Sequence, residues 1–235
     1  MTKELPRWSK SQAYARWFES PLGAAYRSSI DEVIRPWLGG APRKLALDAG
    51  CGPILTFVEA FDPRTRVFAV DCSLEMAQSA RARLESTSRS GAALCASIDK
   101  LPFPDGCFDL VLTVNCLEFV KDYRSALAEL RRVAAPGASA VVGVLDRGGP
   151  WEWTRRLLRP FSRRPYYQGR FLVAAELADG LRRAGWDVLD IRRAVRFPPV
   201  SLPRPAWYRR LERWVPARFA GVILVRAIRA GSSRS

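Results

Sequence analysis

Apolar and polar residues recur along this chain with two different periods, and the switches between them predict its elements. Between residues 10 and 38, Tyr26, Ile30, Ile34 and Trp37 repeat at helical spacing. Ser20-Pro21 divides that stretch into two helices, Ser20 placed to cap the second and Pro21 to open it, and Gly39-Gly40 ends it. Leu45-Ala-Leu47 then starts an apolar run of strand type that stops at Asp48. Further strands are expected near Arg66–Val70, Ala92–Cys95, Phe108–Val114, Ser139–Leu145, Trp186–Val195 and Gly221–Ile228. Helices are expected near Ile54–Phe61, from the N-cap Ser73 to Glu85, at Tyr123–Ala134, and at Ala174–Ala184, where Gly185 stops the last. Strands that are apolar at every position are buried on both faces, so their alternation with helices indicates an α/β fold with a mostly parallel sheet. No internal repeat or low-complexity linker divides residues 1–235, which read as one domain: a helical cap over 1–40, a core over 45–145, and a C-terminal part over 147–235.

The first strand carries the candidate chemistry. It ends in Asp48-Ala-Gly50-Cys-Gly52. Two glycines permit a tight turn and let a ligand approach the backbone at the carboxyl edge of a sheet, where open α/β folds bind nucleotides. The third glycine of a dinucleotide fingerprint is missing, since no glycine lies between Gly52 and Gly91. A carboxylate ahead of the turn repels phosphate and suits a cationic ligand. One β-unit later a second apolar strand ends at Asp71, 23 residues after Asp48, the distance at which an acid commonly holds ribose hydroxyls. The two acids together fit a nucleoside joined to an amino acid.

With these residues in place, the chain resembles the class I S-adenosylmethionine-dependent methyltransferases, in particular the family with the type 11 methyltransferase domain. The resemblance rests on Leu47-Asp-Ala-Gly-Cys-Gly52, Ala69-Val-Asp-Cys-Ser-Leu-Glu-Met76, Leu101-Pro-Phe-Pro-Asp-Gly-Cys-Phe-Asp-Leu110, Cys116-Leu-Glu-Phe-Val120 and Leu130-Arg-Arg-Val-Ala-Ala-Pro-Gly137, and spans about Leu45 to Leu145. It implies a Rossmann-like seven-stranded, mostly parallel sheet with an antiparallel last strand, helices on both faces and an N-terminal helical cap. It also implies S-adenosyl-L-methionine as cofactor and S-adenosyl-L-homocysteine as product. By the same resemblance, Asp48, Gly50, Cys51 and Gly52 face the methionine part, Asp71 the ribose and Cys72 the adenine, with Met76 also in the cofactor set. Ser97, Ile98, Asn115 and the cap residue Tyr14 complete the cofactor set. Two positions depart from the family pattern. Ser97 stands where an acid often meets the adenine amine, with Asp99 the substitute if the loop register differs. Pro53 stands where glycine is common, giving a stiffer turn with one amide donor fewer.

Composition narrows the setting. No apolar run approaches the roughly 20 residues of a membrane span, and the N-terminus lacks an apolar signal core, which suits a cytoplasmic protein. Cys51, Cys72, Cys95, Cys107 and Cys116 form no Cys-x-x-Cys pair and there is no histidine, so no metal site is expected and the thiols read as small buried apolar groups. The net charge of +15 is unevenly placed: residues 1–146 hold 18 Lys/Arg against 17 Asp/Glu, whereas residues 147–235 hold 20 Arg against 6 Asp/Glu. That imbalance reads first as a solvated arginine-rich face and second as a docking surface for nucleic acid or an anionic membrane.

On the substrate side, Trp17 and Phe18 of the cap either cover the site or staple the helix to the sheet. The stretch Arg147–Phe171 brings Trp151, Tyr166 and Tyr167 among arginines, suiting a planar or anionic acceptor or ordinary packing. A second insertion, Phe197–Phe219, carries an amphipathic piece at Trp207–Trp214 that suits a membrane surface or the sheet edge. Methyl transfer needs alignment and exclusion of water more than a base. A histidine base is excluded, and Asn115, Glu118, Asp146, Tyr166 and Tyr167 are the groups near the expected cleft. The favoured reading is methyl transfer to a small molecule. The alternatives are an RNA or lipid/quinone methyltransferase using the arginine-rich part, and a non-catalytic S-adenosylmethionine-binding protein.

Overall fold

A computed structural model describes residues 11–38, 44–53, 55, 57–158, 160, 169–197 and 214–231. Seven strands form one sheet: β1 Leu45–Ala49, β2 Arg66–Asp71, β3 Gly91–Cys95, β4 Phe108–Val114, β5 Ala134–Leu145, β6 Trp186–Ala194 and β7 Val222–Arg229. Their order is β3-β2-β1-β4-β5-β7-β6. The pairs β1–β2, β1–β4, β2–β3 and β4–β5 are parallel, while β7 runs antiparallel to both β5 and β6. The expected α/β class with one antiparallel last strand is therefore borne out. The order reverses at β1, between β2 and β4, and such switch points open a crevice at the strands' carboxyl ends.

Side chains leave the strands alternately to two cores. On one face Val67, Ala69, Leu110, Leu112, Val141 and Leu224 pack under α1 (Ser11–Glu19), α2 (Pro21–Leu38), α3 (Leu74–Ser86) and α5 (Pro150–Leu158). On the other, Leu47, Val70, Val111, Val142 and Val225 meet α4 (Tyr123–Val133) and α6 (Ala174–Arg183). The helix starts follow the expected chemistry. The Ser20 hydroxyl accepts from Gly23 N at 3.1 Å at the head of α2, and Ser73 accepts from Met76 N at 3.4 Å at the head of α3.

Two expectations need correction. The helix placed over Ile54–Phe61 is, in the described residues, a single 3₁₀ turn at Val58–Ala60. Leu55 has φ +44°, a left-handed conformation that no right-handed helix can run through. The thiols are not uniformly buried either: Cys72 and Cys95 are exposed, because both leave the carboxyl ends of strands at the open edge of the sheet.

Candidate functional site

The turn after β1 is built for a close approach. Gly50 and Gly52 have φ +79° and +62°. A Cβ on Gly50 would sit 2.3 Å from the Cys116 sulfur, so only glycine fits between β1 and the segment after β4. The amides of Gly50 and Cys51 donate to Val70 O, and Gly52 N donates to the Asp71 carboxylate at 3.1 Å. Asp71 also accepts from Ser73 N at 2.9 Å. The glycine turn and the β2 carboxylate thus hold each other in one arrangement.

Beside this turn lies a cavity of about 320 Å³, within the range of small-molecule and cofactor sites. Gly50, Cys51, Gly52, Pro53, Asp71, Cys72, Met76, Ser97, Ile98 and Asn115 line it, together with Asp99. Ser97 Oγ donates to Asp99 at 2.5 Å, so the serine found at the usual acidic position is joined to the nearby acid. Asp48 does not line the cavity. It is buried beneath it, and burial, with the nearby Asp71 charge second, pushes its carboxyl from 3.8 up to about 7. Burial also raises Asp71, against the pull of its two backbone donors. Burial raises the Cys51 and Cys116 thiols well above their ordinary range, with the adjacent acids adding to the effect, so both stay protonated.

The opposite wall comes from the cap and from the segment after β4. Phe18, Tyr26 and Arg27 reach in from the N-terminal helices, Phe57 from the loop after β1, and Phe119, Val120 and Lys121 from beyond β4. Asn115, with φ +56°, donates through Nδ2 to the Tyr26 hydroxyl at 2.7 Å, while its buried Oδ1 has no protein partner. Of the cap aromatics proposed to cover the site, Phe18 lines the cavity. Trp17 packs edge-on against Phe18, Tyr26 and Trp151 at 4.8, 5.5 and 6.4 Å and does not line it. Trp151 is also off the cavity: it is 3% exposed, and its indole donates to Phe197 O at 2.6 Å. The side chain of Tyr14 and the whole of Tyr166 and Tyr167 lie outside the described residues, as do residues 207–213 of the second insertion.

The acids considered as bases are occupied elsewhere. Asp146 pairs with Arg193 at 3.0 Å and accepts from Gly148 N. Glu118 is buried behind the wall, where one oxygen accepts from Leu145 N and the other has no partner. The lining residues that sequence reasoning passed over are Tyr26, Arg27, Phe57, Ala96, Val114, Cys116, Phe119, Val120 and Lys121. Val114 and Cys116 flank Asn115 directly, and Phe119, Val120 and Lys121 follow within six positions, a usable signal. Arg27 and Phe57 arrive through tertiary packing. Among the described residues no group of three or more His, Cys, Asp or Glu is placed to hold a metal, and no helix is long and apolar enough to cross a membrane.

A seven-stranded sheet with β7 inserted antiparallel, and a glycine cradle at its switch point, define the Rossmann-like fold of the class I S-adenosylmethionine-dependent methyltransferases. Residues 47–142 match the family described as methyltransferase domain, so this segment is a methyltransferase domain of that family, and the resemblance drawn from the motifs holds. The fold is shared with a possible histamine N-methyltransferase of Thermotoga maritima (TM-score 0.72, 21% identity, 94% of this chain and 97% of that one). It is shared also with a SAM-dependent methyltransferase of Aquifex aeolicus (TM-score 0.64, 16% identity, 93% and 98%). Curated relatives include an uncharacterised protein of Mycobacterium bovis, 30% identical over 80% of this chain. Another is the ubiquinone/menaquinone biosynthesis C-methyltransferase of Burkholderia mallei, 32% identical over 63% of this chain. The chain spans 62% of the length of each of these two relatives, and 35% of a Streptomyces fradiae transposon protein with which it is 39% identical over 121 residues.

Proposed function

We propose that the protein transfers a methyl group from S-adenosylmethionine to a small-molecule acceptor, by positioning and in-line displacement. The observation that carries this reading is the glycine cradle, where any Cβ on Gly50 would strike Cys116, set against Asp71 in the same cavity wall. These residues fit the cofactor. Gly50 and Gly52 let its amino-acid part approach the backbone, Asp71 takes its ribose hydroxyls, and Met76, Cys72 and Ile98 offer an apolar slot for its base, with Ser97 and Asp99 at the polar edge. Bound there, the cofactor supplies an electrophilic methyl group on a sulfonium.

The chain's own contribution is alignment and dryness. Phe18, Tyr26, Phe57 and Phe119 form an aromatic wall that excludes water and presents flat faces to an acceptor. The unpartnered Asn115 Oδ1 accepts a hydrogen bond from an N–H or O–H of whatever occupies the cavity. Asp48 beneath the turn adds negative potential under a cationic ligand once its proton leaves. A partly open, aromatic-walled cavity of about 320 Å³ supports a small acceptor over a folded macromolecule. The Burkholderia relative is named for a quinone C-methylation, and hydroquinones therefore belong in the acceptor panel.

The test is calorimetric titration of S-adenosylmethionine into the protein and into Asp71→Asn, followed by measurement of S-adenosylhomocysteine release with a panel of phenols, hydroquinones and amines. Binding that weakens at least tenfold in the variant supports the site. A folded wild-type protein that gives no heat overturns it, and binding without turnover on any acceptor would favour a non-catalytic role.

A further inference from the structure

Helix α5 carries its apolar residues on both faces. Inward, Trp151 is buried, and Glu152, also buried, pairs with Arg155. Outward, where a helix facing water carries polar side chains, stand Trp153 at 57% exposure and Leu157 at 72%. Trp153 and Leu157 are one helical turn apart, and Arg156 lies between them with its side chain 65% exposed. The patch continues onto the turn Ala217–Phe219 that precedes β7. Phe219 meets Trp153 at 6.2 Å between ring centroids, and the Arg218 guanidinium lies 5.0 Å over the Phe219 ring. Nearby in sequence, Trp214 is 85% exposed. Single exposed apolar residues are ordinary, but this group puts two rings and a leucine on one surface among arginines.

We propose that this face docks on the surface of an anionic lipid bilayer. Charge complementarity identifies the partner class, because residues 147–235 carry 20 arginines against 6 acidic residues, and basic segments are drawn to anionic headgroups. The aliphatic Leu157 separates lipid from nucleic acid. Tryptophan and arginine stack on bases, but Leu157 offers nothing to a stacked base, whereas acyl chains accept it. A second copy of this chain is disfavoured by its own charge of +15. Helix α5 follows β5 within five residues, at the same carboxyl edge of the sheet that bears the cavity. Docking through α5 thus turns that edge toward the lipid.

The proposal is independent of which cofactor the cavity holds. Its test is flotation of the full chain with vesicles of phosphatidylcholine alone and of phosphatidylcholine with phosphatidylglycerol, in low salt and in about 0.5 M salt. Binding is expected on the anionic vesicles only, lost in high salt, and reduced about tenfold by Trp153→Ser/Leu157→Ser with S-adenosylmethionine affinity unchanged. Leu157→Ser alone, at a side chain with little to lose on folding, is expected to weaken binding several-fold with an unaltered melting temperature. Three results each overturn the proposal: no binding of the wild type to anionic vesicles, equal binding by both variants, or stronger binding to single-stranded RNA than to vesicles at the same salt. A dimer in light scattering that the double variant converts to monomer also overturns it, because a second copy would then cover the face.

Discussion

Asn115 Nδ2 donates to the Tyr26 hydroxyl at 2.7 Å, and this bond ties the carboxyl end of β4 to the cap helix α2 across the cavity. The two residues lie 89 positions apart in sequence. Tyr26 is 2% exposed and packs 5.1 Å from Trp151, so the hydroxyl is held by a buried ring. Tyr26→Phe keeps the ring but removes the acceptor, stranding an amide whose other end already has no partner. The expected cost is about 1–2 kcal/mol of stability, with a several-fold loss of S-adenosylmethionine affinity as the cap loosens. Thermal melts and calorimetry on the variant check both parts, and unchanged affinity would show that the cap is held by its apolar contacts alone.

In the proposed site, Asp48 is expected to link cofactor charge to pH. Burial, reinforced by Asp71, raises its carboxyl from 3.8 to about 7. S-adenosylmethionine carries a sulfonium charge that S-adenosylhomocysteine lacks, so the ionised carboxylate beneath the turn favours the former. Between pH 6 and pH 8 the ratio of affinities, cofactor over product, is expected to rise several-fold as the proton leaves. In Asp48→Asn the ratio is expected to stay flat across the same range. Paired titrations of the two ligands at three pH values measure it directly.

Most of this arrangement was legible in the chain because the informative residues are neighbours in sequence. Asp48, Gly50 and Gly52 occupy one strand end, and Asp71 and Ser73 the next. The strands announced themselves through runs such as Phe108–Val114, apolar on both faces because both faces are covered. Residues 54–61 misled for a local reason: Ile54, Val58 and Phe61 have helical spacing, yet Leu55 adopts a positive φ and the chain turns instead. Arg27 and Phe57 were invisible because nothing near them in sequence marks a cavity that tertiary packing creates. Trp151 shows the converse: an aromatic beside arginines suited a ligand surface or ordinary packing alike, and the structure uses it as a buried wedge between Tyr26 and Phe197.

That placement gives Trp151 a stability role that can be told from a substrate role. Its ring contacts Tyr26 and Phe197, and its indole N–H satisfies the Phe197 carbonyl. Trp151→Ala is expected to lose about 3–5 kcal/mol, and Trp151→Phe about 1–3 kcal/mol, since a smaller ring leaves a void and loses the indole hydrogen bond. In Trp151→Phe the KM for an acceptor should stay within about twofold of the wild type while the melting temperature falls. A raised KM at unchanged melting temperature would return Trp151 to the acceptor site.

Glu118 makes the fold itself pH-sensitive. Burial lifts its carboxyl from 4.5 to about 7, outweighing the lowering effect of its backbone hydrogen bonds, and its second oxygen is enclosed without a partner. The folded state therefore binds this proton more tightly than the unfolded chain does. Where the folded state holds more protons, stability falls as pH rises, so the loss runs from about pH 4.5 to just above pH 7. Glu118→Gln keeps an oxygen for Leu145 N–H and removes the ionisation. At pH 8 the variant is expected to be more stable than the wild type by on the order of 2–3 kcal/mol, and at pH 5 the two should be nearly equal. Denaturant melts of both proteins at the two pH values decide it. A variant that is less stable at pH 8 would mean that the carboxylate is ionised in the fold and held there by a charge not yet accounted for.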